Sequence, residues 1–172
     1  MDDQQLWHLN TARIKDLLAV LPAGTGLVLT QLLSRYQQAK EALAAIVAKV
    51  DAVSECHRCR GQCCLNGKYR INILDALAHT AAETAISADF SQNPVCPYGT
   101  VAGCTMEPGL RPADCVMFIC DAIDRKLSPQ ARLILAAGEE ELRDCIQKAS
   151  VLTGEPLGTP LLLWGDKYKP KV

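Results

Sequence analysis

Aromatic residues make up only 5% of this 172-residue chain, too few for a platform on which bases stack. Formal net charge is −1, so neither nucleic acid nor an anionic membrane meets an electrostatic footprint. Apolar runs are short. Even residues 43–50 are interrupted by Lys49, far below the roughly 20 residues that cross a bilayer. The opening Met1-Asp2-Asp3-Gln4-Gln5 lacks the basic region and apolar run of a secretory signal, so a cytoplasmic protein in a reducing compartment is expected. No Gly-rich nucleotide loop, no His-Glu-x-x-His and no nucleophile elbow is present. There are no internal repeats and no low-complexity tract. These absences remove the common hydrolase, nucleotide-binding and metalloprotease chemistries, and no catalytic residue can be named.

What remains is an ordinary globular composition, 49% apolar and 22% charged, in a chain long enough to bury a core without disulfide staples. A single domain over 1–172 is expected, in three zones. Residues 1–54 read as N-terminal helices. Asp2 and Asp3 cap the first, which carries Leu6, Leu9, Ile14, Leu17 and Leu18; residues 21–26 break it. A second helix over 27–53 places Leu32, Tyr36, Ala39, Leu43, Ile46, Val47 and Val50 on one face. Residues 55–121 are rich in glycine and proline, with an Ala-rich helix over 74–85 and an extended segment before it. Residues 122–172 hold a helix begun by Ser128-Pro129 and stopped by Gly154, then a tail with three prolines and a basic stretch at 167–171. The fold class is mainly α, with helices packed around a loop-rich cysteine core.

Nine cysteines are the anomaly, and eight lie in the middle zone. An odd count without an export signal points to metal or redox chemistry rather than to disulfides. The first group is Cys56-x2-Cys59-x3-Cys63-Cys64. The Cys-x-x-Cys spacing suits a tight turn that aims two thiolates at one metal. Adjacent side chains such as Cys63 and Cys64 diverge, most clearly in extended chain, so the doubled cysteine favours two metal sites or a polynuclear centre. The second group is Cys96, Cys104, Cys115 and Cys120. Cys115 and Cys120 would stand about 140° apart on a regular helix, so either the helix breaks between them or they serve different metal atoms. Between Cys56 and Leu74 the charges are Arg58, Arg60, Lys68 and Arg70, with no acidic residue. Cations there offset thiolate charge and lower thiol pKa values; a solvated basic loop explains them equally well. Arg58, Arg60 and Arg111 are the cations expected around the thiolates.

Other candidates have blander readings. His57 suits a solvent-facing place better than a ligand's. His79 is a structural residue of the Ala-rich helix. Cys145 shares a helix face with Leu142, Ile146, Ala149 and Leu152, which is core spacing, although it is a possible additional ligand. Asp114 and Asp121 cap short helices.

The stretch Cys56-x2-Cys59-x3-Cys63-Cys64, followed by Cys96, Cys104 and Arg111-Pro112-x2-Cys115-x2-Phe118-x-Cys120, resembles the YkgJ-like cysteine-cluster family, described as a zinc- or iron-chelating domain. The likeness spans residues 56–120. Val116 departs from it, since many members carry a basic residue there. The resemblance implies that Cys56, Cys59, Cys63, Cys64, Cys96, Cys104, Cys115 and Cys120 are metal ligands.

The function expected from these residues is an iron–sulfur protein in electron transfer or redox chemistry, with one large cluster or two smaller ones of 4Fe–4S type and a redox partner protein. Thiolate donors exceed what one tetrahedral zinc takes. The alternative is a zinc-binding interaction module with one or two four-cysteine sites, and after it a metal carrier. Enzyme and electron carrier are not distinguished by any residue.

Overall fold

The computed structural model describes residues 1–60, 62–65, 67–92, 94–100 and 103–165; the side chain of Cys63 and the basic stretch at 167–171 lie outside the described residues. The architecture is mainly α, as expected. Helix α1 (Asp3–Val20) starts in a capping box, the Asp2 carboxylate accepting from the Gln5 amide while the Gln5 side chain answers at the Asp2 amide. The expected break at 21–26 shrinks to Leu21 and Pro22, because α2 (Ala23–Ala48) takes Gly24 and Gly26 into its first turn. Nothing crowds those glycines, so their cost is only the intrinsic glycine penalty, offset by the long packed helix behind them.

The second helix also ends earlier than its apolar stripe suggests. The amides of Lys49, Val50 and Asp51 bond back to the carbonyls of Ile46, Val47 and Ala48, tightening the last turn. Asp51 then takes a left-handed conformation, φ 57°, which aspartate tolerates better than most residues. A separate helix α3 (Ala52–Cys59) leaves in a new direction. Two 3-10 turns follow, Gln62–Cys64 and Gly67–Tyr69. Helix α4 (Ile73–Ala81) is capped reciprocally by Asn72 and Asp75 and stops short of the expected residue 85. The only strands among the described residues are β1 (Gly99–Thr100) and β2 (Gly103–Cys104), a two-stranded antiparallel hairpin with Gly99 opposite Cys104. Short helices α5 (Ala113–Met117) and α6 (Asp121–Asp124) precede α7 (Pro129–Thr153). That last helix begins and ends where the sequence says. The Ser128 hydroxyl accepts from the Ala131 amide, and Gly154 ends it at φ 73°.

The main packing is α2 against α7. Gly138 permits it, because a Cβ there would stand 2.4 Å from a Leu43 methyl. One core runs through all three zones, joining Trp7 and Ile14 of α1, Leu29 to Leu43 of α2, Ile73 to Ala78 of α4, and Leu142, Cys145 and Ala149 of α7. Each large apolar side chain buried in it is worth about 1.5–3 kcal/mol. The proline-bearing tail is part of this core. Leu157, Leu161, Leu162 and Trp164 are buried, and the segment's backbone pairs with Ile71, Ile73 and Leu74. Asn10 donates to the Leu161 carbonyl at 2.6 Å, and Arg13 to that of Trp164 at 3.0 Å. No helix among the described residues is long and apolar enough to cross a membrane.

Candidate metal centre

The cysteines lie on several segments, some of which pack against one another. Cys56 and Cys59 lie in the last turn of α3, on a helix rather than in the tight turn expected. The spacing of three still puts them on one face, a turn apart, and the Cys59 thiol points back toward the Cys56 carbonyl at 3.4 Å. The helix ends at Arg60, left-handed at φ 50°. Cys64 closes the first 3-10 turn, so the doubled cysteine sits in tightly wound backbone and not in extended chain. Helix α3 packs on both β2, which carries Cys104, and α6, whose N-cap is Cys120. The chain is extended at Phe118 between α5 and α6, so the break between Cys115 and Cys120 is real. Asp114 and Asp121 lie in first turns, where their charge suits the helix dipole, but neither gives a capping bond: the N-caps are Pro112 and Cys120.

Cys96 is held against the second 3-10 turn. A Cβ on Gly67 would stand 2.6 Å from both the Cβ and Sγ of Cys96. The second 3-10 turn therefore lies with its bare backbone against this thiol, and only glycine allows it. Beside Cys96 the hairpin is fixed by Tyr98, whose carbonyl accepts from the Thr105 amide and hydroxyl and whose hydroxyl donates to the Lys68 carbonyl. The Tyr98 ring rests on Trp7 at 5.5 Å.

The electrostatics tie three thiols into one group. Burial pushes the Cys96 thiol up, with Cys104 adding to the rise, while the Tyr98 amide and the Arg70 guanidinium pull it down. Crowding likewise pushes Cys115 far up; Cys96 and then Cys104 raise it and Arg70 lowers it. Cys115 nevertheless retains solvent exposure, so it is not inside the core. Arg70 is thus the cation that acts on these thiols, and its guanidinium also lies 5.7 Å from the Phe118 ring. The cations expected there are otherwise engaged. Arg58 pairs with Glu55, Arg60 is an exposed helix end, and the Arg111 side chain donates to the Met106 carbonyl at 3.1 Å. Lys68 is held by Asp3 at 2.6 Å.

The two histidines of the middle zone differ in setting. His79 is buried, with Nε2 on the Leu110 carbonyl at 2.8 Å and Nδ1 on the Thr84 hydroxyl at 3.0 Å. His57 is exposed. Cys145 is buried in α7 against Glu141; burial, with Glu141 next, pushes its thiol up to about 11. Its charged neighbours are Glu141, Arg35 and Asp144. By donor chemistry the candidate set is all sulfur, which fits a thiolate-bound metal. Among the described residues, no three His, Cys, Asp or Glu side chains stand where they could hold one ion.

Compared with family models, with curated proteins and with solved structures, the chain matches none. The resemblance noted above therefore rests on the cysteine motif and the Arg-Pro-x-x-Cys segment alone.

Proposed function

We propose that this chain is a thiolate metal protein carrying an iron–sulfur centre for electron transfer or redox chemistry. The observation that supports this most is that cysteine-bearing segments pack together, α3 lying against both the strand of Cys104 and the α6 helix capped by Cys120. Eight candidate thiolates exceed the four that one tetrahedral zinc or one 4Fe–4S cluster takes, which suits two centres, and an iron–sulfur centre would supply reversible one-electron transfer when bound. The ligands would be Cys56, Cys59, Cys63, Cys64, Cys96, Cys104, Cys115 and Cys120. The surrounding protein raises the Cys96 and Cys115 thiols above their ordinary range. Binding therefore releases protons, and uptake strengthens as pH rises. Arg70 offsets part of the charge left on the thiolates. Free thiols at Cys59, Cys96, Cys104, Cys115 and Cys120 suit a reducing, cytoplasmic setting.

Anaerobic purification followed by metal analysis, visible absorption and EPR on one sample tests the reading. A brown protein with iron, acid-labile sulfide and an EPR signal in one redox state is expected. A colourless protein with stoichiometric zinc would replace it with the zinc interaction module.

A further inference from the structure

The Arg111–Cys115 segment cannot hold its own shape. Helix α5 has five residues, far too few to be stable alone, and Pro112 supplies no amide. Its backbone is instead gripped by three buried side chains of the helical frame. His79 of α4 meets the Leu110 carbonyl at 2.8 Å. Lys40 of α2 donates to the Arg111 carbonyl at 2.8 Å. Asp75 of α4 accepts from the Ala113 amide at 3.3 Å on either oxygen. Lys40 and Asp75 are also paired with each other at 2.9 Å, and both side chains are 0% exposed. Asp75 is further fixed by the Tyr36 hydroxyl at 2.9 Å and the Asn72 amide at 3.2 Å.

A fully buried ion pair is a poor way to gain stability, because two desolvated charges return little more than well-packed apolar residues do. What it gives is direction. Each partner has a fixed orientation and a remaining hydrogen bond to spend, and here both are spent on backbone two to four residues before Cys115. That cysteine is the one whose thiol is exposed and interacts electrostatically with Cys96, Cys104 and Arg70.

We propose that the Lys40–Asp75 pair is a positioning device for Cys115, clamping the 110–113 backbone so that this thiol is presented to the other cysteines. Its metal consequence rests on the reading under Proposed function. The pair touches no metal; it acts through the segment it grips. A pair serving only to join α2 to α4 would leave the segment and the site unchanged once the fold was retained.

The test uses the full chain and the double variant Lys40→Met/Asp75→Asn, which removes both buried charges together and so favours retention of the fold. Its single parents serve as controls. In the metal-free protein, amide exchange read by mass spectrometry should quicken by about tenfold or more across 110–118 while residues 142–149 of α7 keep wild-type protection. Cobalt(II) serves as the metal probe. Its thiolate charge-transfer band should weaken and its affinity fall about 10–100-fold, the range typical of losing a group that orients a ligand. A folded double variant with wild-type exchange at 110–118 overturns the proposal, as does one with faster exchange and an unchanged cobalt spectrum and affinity. If the wild-type chain itself shows no thiolate band with cobalt, the metal reading falls, and the exchange measurement alone decides whether the pair holds the segment.

Discussion

Removing one half of the Lys40–Asp75 pair is the most informative perturbation of stability. Asp75→Asn leaves the Lys40 ammonium with the Arg111 carbonyl and the Tyr36 ring, 4.3 Å from its centroid, but without a countercharge. The new amide also turns an N–H₂ toward the Ala113 or Asn72 amide, donor against donor. Lys40→Met leaves a carboxylate that still accepts from Tyr36, Asn72 and Ala113 yet is equally uncompensated. Breaking a buried pair from one side costs about 3–5 kcal/mol, a large share of the roughly 5–15 kcal/mol that holds a domain together. For a chain of this size the melting temperature should fall by about 6–20 °C. The double variant buries no charge, leaving only lost hydrogen bonds and the misfitted side-chain amide, so about 1–3 kcal/mol is expected. It should be more stable than either parent. Urea denaturation of the four metal-free proteins gives the cycle directly. Either single variant within about 1 kcal/mol of wild type, or a double variant destabilised by the sum of the singles, would show that the two groups are not a desolvated pair.

Three other outcomes follow from the packing and the charges. Gly67→Ala places a methyl on the Cys96 sulfur, so it should cost about 1–3 kcal/mol as an overpacked contact and lower metal content in the same preparation, read by elemental analysis. The His79 pKa is held below its ordinary value, first by burial and then by the Lys40 charge. The unfolded chain thus takes up this proton first, near pH 6.5, and the stability contributed by neutral His79 is full above that pH and lost as pH falls through the lower folded value. Urea midpoints compared between about pH 7.5 and 5.5 should decline, and His79→Gln should flatten the decline. Cys145→Ala should leave bound metal per chain unchanged while costing about 1 kcal/mol or less for a small cavity; Cys115→Ser should lower bound metal, by elemental analysis of both.

Helix α7 was fully legible, because Ser128-Pro129 and Gly154 are terminal signals that no tertiary contact opposes. Helix α3 was not. Its residues carry no apolar period, and the stripe of α2 runs on past the left-handed Asp51 that redirects the chain. The cysteine spacings raise the expectation of a metal centre, but spacing is silent on which thiols approach one another, so the nearness of Cys96, Cys104 and Cys115 and the part of Arg70 emerge only from the fold. Lys40 and Asp75 did leave a trace: a lysine between Tyr36 and Leu43 on the apolar stripe, and an aspartate inside the apolar run 71–78. Each is a charge where the pattern calls for a hydrophobe, and pairing such misfits is a usable inference. The tail's packing also left a signal, since Leu161-Leu162-Leu163-Trp164 is the most apolar tetrad after α7.

That tail gives the molecule a late lock. The bond from Asn10 to Leu161 spans 151 residues of chain, so the first helix waits for nearly the last described segment before its polar groups are satisfied. Contacts so distant in sequence form slowly and after local ones. During synthesis, the thiols of the middle zone would emerge, and stand open to metal, before residues 157–164 close the core over α1 and α4. A chain ended before Leu157 should retain helix by circular dichroism yet lose cooperative unfolding.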